Sequence, residues 1–242
     1  MIESLLVAVT QISTFVETRS LTNATGFFFE RDGRLFVVTN RHVALDEPSE
    51  HRPDRIEIKL HTDPTNVAMT VQFSIPLYFN GAPVWREHSD SVGVVDVIAI
   101  ELFPAALPST HLRHAFTPSH LVANLDDVEV GARVIIVGFP LGFHDTVHHL
   151  PVARQAVVAS AFGIRFQGNG YFLTDARMHR GTSGAPVVWR SPNAGSGREE
   201  LNWTLLGIHA ARLDVDNRDA EQDERLNLNC AWYADAILAL TA

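Results

Sequence analysis

The chain has 242 residues, 46% of them hydrophobic, which is enough to bury a substantial core as one large or two small compact units. Its formal net charge of -9 produces a field that repels polyphosphate and anionic lipid, so neither nucleic acid nor a membrane is expected as a partner. The single cysteine, Cys230, excludes an intramolecular disulfide and favours an inert core thiol.

The N-terminal segment MIESLLVAVTQIST has no basic residue before its apolar run, and four polar residues between Thr10 and Thr14 interrupt that run. It therefore does not have the pattern of a secretory signal peptide. No stretch of the sequence approaches the ~18 consecutive apolar residues that a membrane span requires. We expect a cytoplasmic protein.

Short runs of β-branched and aromatic residues, bounded by Gly, Pro, Asn and Asp, recur along the chain. They predict strands at residues 26–30, 34–40, 55–60, 94–102, 133–139, 155–160, 171–175, 185–190 and 205–210. This spacing is typical of an all-β sandwich or barrel. Between the first two strands, Asp32 and Gly33 suit the positive φ angles of a tight hairpin turn. Helical pattern is scarce, with one turn expected at 41–45 and one helix in the C-terminal segment WYADAILALTA.

The segment between the strands at 94–102 and 133–139 is rich in Pro, His and small residues and shows little alternation. It predicts a junction between two β units near residues 103–120. We place the boundary so that residues 1–110 form an N-terminal unit and residues 111–242 form a C-terminal unit. Polar stretches at 191–200 and 214–227 predict exposed loops.

The sequence GTSGAP, at residues 181–186, combines a serine with two glycines. A serine hydroxyl is a weak nucleophile until a base removes its proton, and neighbouring glycines let backbone N–H groups turn toward the oxyanion that develops. Ser183 is therefore a candidate nucleophile, and the amides of Gly181 and Ser183 are candidate oxyanion donors. A plain turn before the next strand is the alternative interpretation, because Gly, Thr and Ser are common turn residues.

Two further residues supply the remaining parts of a hydrolytic site. His42, in VVTNRHVAL, follows a strongly predicted strand and begins a helical turn, a bend that can project an imidazole into a cleft. Asp96, in VVDVIAIEL, interrupts an apolar run whose periodicity buries it, and a buried carboxylate requires a partner. The chain order His, Asp, Ser is that of chymotrypsin and differs from the orders of subtilisin and the α/β-hydrolases.

These motifs resemble the trypsin-like serine peptidases and, within them, the protease domain of the HtrA/Deg group without its PDZ domain. The resemblance extends from about residue 24 to residue 240. It rests on TGFFFE, VVTNRHV, DVIAIEL, VGFPLGF, LTDARMHRGTSGAPVV, LLGIHA and WYADAILAL. It implies two six-stranded antiparallel Greek-key β-barrels packed with the active site between them, and a short C-terminal helix. The N-terminal barrel carries His42 and Asp96, and the C-terminal barrel carries Ser183.

The resemblance also implies roles for the site residues in a serine endopeptidase that needs no cofactor and no metal. His42 corresponds to the base, Asp96 to the acid that orients it, and Ser183 to the nucleophile. The chain departs from the family pattern at Arg180, Thr182 and Ala185, which lie around the oxyanion loop. The alternative is a trypsin-like module that is catalytically silent, or that becomes active only when a partner protein orders this loop.

The substrate expected for such a site is a peptide or protein that adds its backbone to the strand LLGIHAA. His209 stands in a GIH element similar to that of the glutamyl endopeptidases and picornavirus-type 3C proteases, which implies Glu or Gln before the cleaved bond. Small or aliphatic residues at that position are the HtrA-like alternative. The residues assigned to substrate binding are Arg177, Met178, Gly207, His209 and Ala210.

The histidines of HDTVHH, residues 144–149, are a weaker candidate site. They could present His144 and His148, or His148 and His149, to a metal, but no Cys or carboxylate accompanies them at zinc spacing. A solvated loop is the preferred interpretation.

Overall fold

The computed structural model describes residues 2–112, 114–190, 200–210 and 227–242. Its strands are β1 (Val9–Val16), β2 (Arg19–Arg31), β3 (Arg34–Thr39), β4 (Arg55–His61), β5 (Thr70–Pro76), β6 (Tyr78–Phe79), β7 (Ala82–Pro83), β8 (Trp85–Arg86), β9 (Ile98–Leu102), β10 (Arg133–Gly138), β11 (Val152–Val158), β12 (Tyr171–Asp175), β13 (Pro186–Trp189), β14 (Thr204–Ala210) and β15 (Leu228–Tyr233). Its helices are α1 (Ser4–Val7), α2 (Arg41–Ala44) and α3 (Ala236–Leu240).

The strands form two main antiparallel units. In the N-terminal half, seven strands pair in the order β5-β4-β1-β2-β3-β9-β8, and in the C-terminal half six strands close a barrel in the order β10-β11-β12-β15-β14-β13. The expected mostly-β architecture, with a closed six-stranded barrel and a short C-terminal helix, is confirmed. The N-terminal sheet has one strand more than the predicted six, because the two-residue strand β8 pairs with β9 and buries Trp85 at the sheet edge.

The three consecutive phenylalanines of β2 show how the sequence divides the core. Phe27 and Phe29 pack into a cluster shared by both halves, whereas Phe28 points to the opposite face, into the interior of the N-terminal sheet. This follows from the two-residue period of a strand, which sends successive side chains to opposite faces. The shared cluster also contains Phe139 and Ile208 from the barrel, so the two halves are held together by buried apolar surface.

The strand predictions agree best where apolar runs are continuous. Strands observed at β3, β4, β10, β12 and β14 coincide closely with the predicted ones, and Asp32 and Gly33 have the expected positive φ angles of 52° and 74°. Strand β1 was missed because its polar residues were interpreted as interruptions. Only Gln11 and Ser13 lie on the less buried face of this strand, whereas Thr10 and Thr14 are buried with Ile12 and their hydroxyls bond the neighbouring strands.

Residues 103–132 contain no strand in the part of the chain that the structure describes, and this segment connects the N-terminal sheet to the barrel. The exact unit boundary at residues 110 and 111 stays a prediction. None of the helices in the described ranges is long and apolar enough to cross a membrane. The cytoplasmic location likewise stays a prediction.

Candidate active site

His42 and Asp96 are joined by two hydrogen bonds. The backbone N–H of His42 donates to Asp96 Oδ1 at 2.9 Å, and His42 Nδ1 lies 2.8 Å from Asp96 Oδ2. Asn40 Nδ2 donates to the Asp96 carbonyl at 2.7 Å and so holds the same segment beside α2. Because an ionised carboxylate only accepts hydrogen bonds, Nδ1 carries the proton and Nε2 is left as the basic nitrogen.

The surroundings of His42 favour its charged form. Burial acts to lower the pKa of His42, but the hydrogen bond from its ring to Asp96 and the negative charges of Asp96 and Asp46 outweigh burial and raise the pKa above its ordinary value. An imidazole with a raised pKa is a stronger proton acceptor once it is neutral. This is the electrostatic arrangement expected of a general base that is converted to imidazolium during a reaction.

Ser183 lies in a tight loop between β12 and β13. Thr182 Oγ1 donates to the His179 carbonyl at 2.6 Å, and the Ala185 amide donates to the Thr182 carbonyl at 3.0 Å, so the loop folds back on itself. Gly184 has a φ of 84°, and a Cβ there would lie 2.1 Å from the Thr25 carbonyl oxygen. Only glycine fits that position.

The peptide between Arg180 and Gly181 has a defined orientation. The Arg180 carbonyl accepts a hydrogen bond from the Leu141 amide at 2.6 Å, and since C=O and N–H point in opposite directions across a trans peptide, the Gly181 N–H points away from Leu141. Within the described ranges, neither the Gly181 amide nor the Ser183 amide donates to any protein acceptor. Gly181 has a φ of 93°, and a Cβ there would lie 2.5 Å from the Phe139 carbonyl oxygen.

Thr25 connects this loop to the N-terminal sheet. Its hydroxyl donates to the Gly181 carbonyl at 2.8 Å and accepts from the Phe139 amide at 3.1 Å. Its backbone N–H donates to the Ser183 carbonyl at 2.9 Å. Its own carbonyl accepts from Thr39 Oγ1 at 2.8 Å, close to the end of β3 from which His42 follows. One fully buried residue therefore bonds both flanks of the nucleophile loop to the strand that leads to the base.

A cleft of about 1070 Å³ opens at this junction and is lined by His42, Gly181 and Ser183. In the described part of the chain no hydrogen bond links the Ser183 hydroxyl to His42. Catalytic hydrogen bonds are often long in a free enzyme and shorten when substrate binds. The structure thus brings the predicted base, acid, nucleophile and oxyanion donors together at one place, between the sheet and the barrel.

The five residues predicted to bind substrate do not line this cleft. Gly207 is packed inside the barrel wall, where a Cβ would lie 2.5 Å from the Trp232 carbonyl and 2.8 Å from the Phe172 ring. Ala210 is buried, Met178 packs against the barrel core, and Arg177 is exposed. The sequence LLGIHAA, which is expected to pair with substrate, includes residue 211, and residues 211–226 lie outside the described residues. These substrate-binding assignments stay predictions.

His209 is deeply buried, at 1% exposure, and its Nδ1 has no hydrogen-bond partner among the residues that the structure describes. Burial, together with the charge of His42, lowers the pKa of His209 to about 3, so its ring is neutral at physiological pH. Its backbone is held on the nucleophile loop, because the His209 carbonyl accepts from the Gly184 amide at 2.9 Å and its amide donates to the Ala185 carbonyl at 2.8 Å.

The histidine loop is packed against the N-terminal sheet. Lys59 Nζ lies 3.2 Å from both ring nitrogens of His149, His61 Nε2 lies 2.8 Å from the His148 carbonyl, and His148 Nδ1 lies 2.7 Å from Asp145 Oδ2. No group of three His, Cys, Asp or Glu side chains within the described ranges is arranged to hold a metal ion.

Three residues with structural roles at the site were missed by sequence reasoning: Thr25, Asn40 and Leu141. Thr25, Asn40 and Leu141 lie within TGFFFE, VVTNRHV and VGFPLGF, respectively. The hydrogen bonds from Thr25 to Gly181, from Asn40 to Asp96 and from Leu141 to Arg180 connect residues 156, 56 and 39 positions apart, and local pattern carries no signal for such distant partners.

A closed six-stranded barrel packed on a second antiparallel sheet, with His42, Asp96 and Ser183 meeting at their junction, defines the class of trypsin-like peptidase domains. The family model described as "Trypsin-like peptidase domain" matches residues 24–192, and the chain belongs to this family. The expected resemblance is thereby confirmed. No curated protein matches the sequence.

Several solved structures share the fold. The HtrA-type protease AlgW with a tripeptide is 13% identical, has a TM-score of 0.57, and is matched over 99% of this chain and 61% of that chain. The Rv3671c protease from M. tuberculosis in its active form is 18% identical, with a TM-score of 0.51, over 98% and 80%. The serine endoprotease from Yersinia pestis is 15% identical, with a TM-score of 0.52, over 98% and 62%.

At these identities the similarity establishes the fold alone. The chain spans less than two thirds of the length of the AlgW and Yersinia pestis structures.

Replacing Thr25 by valine tests the connection between sheet and nucleophile loop. Thr25→Val keeps the side-chain shape but leaves the buried Gly181 carbonyl and Phe139 amide without partners, at about 1–3 kcal/mol each. We expect the free energy of unfolding in urea to fall by about 2–6 kcal/mol. Thr25→Ser should restore most of it, and Thr70→Val, on the half-buried surface of β5, should cost much less. A Thr25→Val protein as stable as wild type would contradict the role given to this hydroxyl.

The buried neutral ring of His209 should make stability depend on pH. Its pKa is depressed on folding, so between about pH 6.5 and pH 3 the unfolded chain binds a proton that the folded chain does not. This group therefore lowers stability as pH falls, by up to about 1.4 kcal/mol per pH unit. Urea unfolding at several pH values should show that the free energy of unfolding falls less steeply with decreasing pH in His209→Leu than in wild type. Equal slopes for the two proteins would show that His209 titrates normally.

Proposed function

We propose that this protein is a serine endopeptidase that hydrolyses peptide bonds through His42, Asp96 and Ser183. The observation that carries the proposal is that the Arg180–Gly181 peptide turns its N–H away from Leu141, and that within the described ranges neither the Gly181 nor the Ser183 amide has an acceptor. Two unpaired donors next to a serine cost stability unless an acceptor arrives, and the oxyanion of acyl transfer is such an acceptor.

The proposed reaction is acyl transfer in two stages. Ser183 Oγ attacks the substrate carbonyl carbon while His42 Nε2 takes the hydroxyl proton, and the resulting oxyanion accepts hydrogen bonds from the Gly181 and Ser183 amides. The peptide C–N bond then breaks, and the departing amine receives the proton from His42. Water, activated by the same imidazole, attacks the ester and releases the acid. Asp96 stabilises the imidazolium in both stages, and no cofactor takes part.

For the residue preceding the cleaved bond, the environment of His209 supports an uncharged hydrogen-bonding side chain. The Nδ1 of this neutral imidazole has no partner within the described residues and can bond an amide once a substrate side chain reaches it, whereas burying a carboxylate beside it without a cation is costly. This favours Gln within the Glu or Gln preference. The alternative is a small or aliphatic residue. Cleavage of a peptide library by wild type and His209→Leu separates them, since an unchanged preference in the variant removes His209 from recognition.

One observation favours the second candidate function, a silent or partner-activated module. The Ser183 hydroxyl makes no hydrogen bond to His42 within the described ranges, although both line the same cleft. In that case the cleft binds a peptide or partner protein, and chemistry is absent until the loop around Arg180 and Thr182 is rearranged.

Covalent labelling by a fluorophosphonate probe tests the main proposal against this alternative. Wild-type protein should be labelled near pH 8, and labelling should be absent in Ser183→Ala, because only an activated serine with an oxyanion hole displaces fluoride at a useful rate. Thr182→Ser, which keeps the hydroxyl that bonds His179, is the matched control and should be labelled. No labelling of wild type alone, followed by labelling when a partner protein is added, would support the partner-activated module instead.

The pH dependence of labelling tests His42 as the base. Only the neutral imidazole accepts a proton, and the pKa of His42 is raised, so the rate should fall as pH decreases with its midpoint above about 6.5. Asp96→Asn removes the charge and the acceptor that raise this pKa, and should both lower the rate and move the midpoint to lower pH. A rate that is flat from about pH 5 to pH 8 would contradict the assignment.

A further inference from the structure

The cleft that contains His42 and Ser183 is lined mainly by residues of the N-terminal half. Its walls come from the β1–β2 hairpin, from α2 with the loop after it, and from the Leu141–Gly142 turn, and none of β14 takes part. If the acyl half of a substrate pairs with β14, as the sequence predicts, then the half that departs as an amine enters this cleft, past His42. Its volume of about 1070 Å³ is at the upper end of the range for ligand pockets, so it has room for a short peptide.

Three arginines line this cleft: Arg19 on β2, Arg52 in the loop after α2, and Arg180 beside the oxyanion glycine. All three are exposed, and in the described part of the chain none of them makes an ion pair or a side-chain hydrogen bond. Outside the cleft, Arg34, Arg41, Arg55, Arg86 and Arg165 each pair with a carboxylate, whereas Arg133, Arg154 and Arg177 make no ion pair within the described residues but do not cluster at one site. Unpaired guanidinium groups at a cleft are strong candidates for binding an anionic ligand, because each offers a planar fork of donors.

Two carboxylates share the cleft lining, Asp46 and Glu50. Asp46 is engaged by its own loop, since its Oδ2 accepts a hydrogen bond from Ser49 Oγ, and its charge acts on His42. Glu50 is exposed. The lining therefore carries three positive and two negative groups in a chain whose formal net charge is -9. The cleft therefore carries a net positive charge, although the chain as a whole is acidic. Arg180 directly precedes Gly181, whose amide is a candidate oxyanion donor.

From this placement we infer that the protein selects peptides with acidic residues just after the cleaved bond, and that Arg19, Arg52 and Arg180 are specificity-determining residues for that leaving-group segment. The inference rests on the proposed peptidase function and extends it to a substrate class. The segment enters as an extended peptide, its first side chains reach Arg180, and later ones reach the two outer arginines. Exposed charge pairs of this kind increase the rate of substrate binding and fix the position of the peptide in the cleft as much as they increase affinity. Salt weakens these pairs.

The test compares three peptides that share one acyl half and differ only after the cleaved bond, where they carry Asp and Glu, Asn and Gln, or Lys and Arg. We expect kcat/KM for the acidic peptide to exceed that of its amide counterpart by about fivefold, from two or three exposed pairs, and the basic peptide to be the poorest. Added salt should reduce the difference. Equal kcat/KM for all three peptides would overturn the inference while leaving the peptidase function intact.

Variants assign the effect to residues. Arg19→Gln and Arg52→Gln should each lower the ratio of kcat/KM for the acidic peptide to kcat/KM for the amide peptide, because each removes one positive charge from the cleft. Glu50→Gln should increase the preference. Arg133→Gln, an exposed arginine outside the cleft, is the matched control and should leave it unchanged. An unchanged preference for the acidic peptide, both in the double variant Arg19→Gln, Arg52→Gln and in Arg180→Gln, would show that other residues recognise the acidic side chains.

Binding to Ser183→Ala separates this inference from the proposed function. The same three peptides, titrated against the variant by calorimetry, should bind in the order acidic, amide, basic whether or not the wild type cleaves them. Selective binding without cleavage would defeat the peptidase proposal and keep the arginine site. If the wild type cleaves the peptides but neither binding nor kcat/KM distinguishes them, the peptidase proposal is kept and the arginine site is rejected.

Discussion

The buried hydroxyl of Thr25 is the interaction on which the geometry of the site depends. It belongs to the N-terminal sheet, yet its two hydrogen bonds go to Gly181 and Phe139, on the two barrel loops that form the oxyanion side of the cleft. Glycines at 138 and 184 permit this close approach, since a Cβ at Gly138 would lie 2.7 Å from the same hydroxyl oxygen. A buried hydroxyl that both donates and accepts is costly to replace, so it fixes the register between the halves.

The protonation states of the histidines at the site depend on how the two halves are held together. Once sheet and barrel are held together, His42 and Asp96 from one half face Ser183 from the other, and the Leu141 amide orients the Arg180–Gly181 peptide. Asp96 raises the pKa of His42, whereas burial keeps His209 neutral. One histidine is thus prepared to take up a proton and the other to remain uncharged, although both lie next to the nucleophile loop. The difference comes from their partners: a carboxylate for His42 and an apolar barrel wall for His209.

The sequence was sufficient to predict those elements whose conformation depends on neighbouring residues. The hairpin at Asp32 and Gly33, the strand β3 and the turn that carries His42 were predicted from neighbouring residues. The grouping of His42, Asp96 and Ser183 required only their chain order. Strand β1 was missed because an alternating half-buried strand has as many polar residues as apolar ones. Thr25 and Leu141 were missed because their partners are distant in sequence, and the placement of His209 inside the barrel depends on how β14 packs between its neighbours.

A crystal structure of the protein after reaction with a fluorophosphonate tests the oxyanion site most directly, because the phosphonyl oxygen occupies the place of the oxyanion. We expect phosphorus bonded to Ser183 Oγ and that oxygen within about 2.7–3.1 Å of both the Gly181 and Ser183 nitrogens, with the Arg180 carbonyl still hydrogen-bonded to the Leu141 amide. Phosphorus on another residue, or an oxygen that faces solvent while the Arg180–Gly181 peptide has rotated, would contradict this expectation.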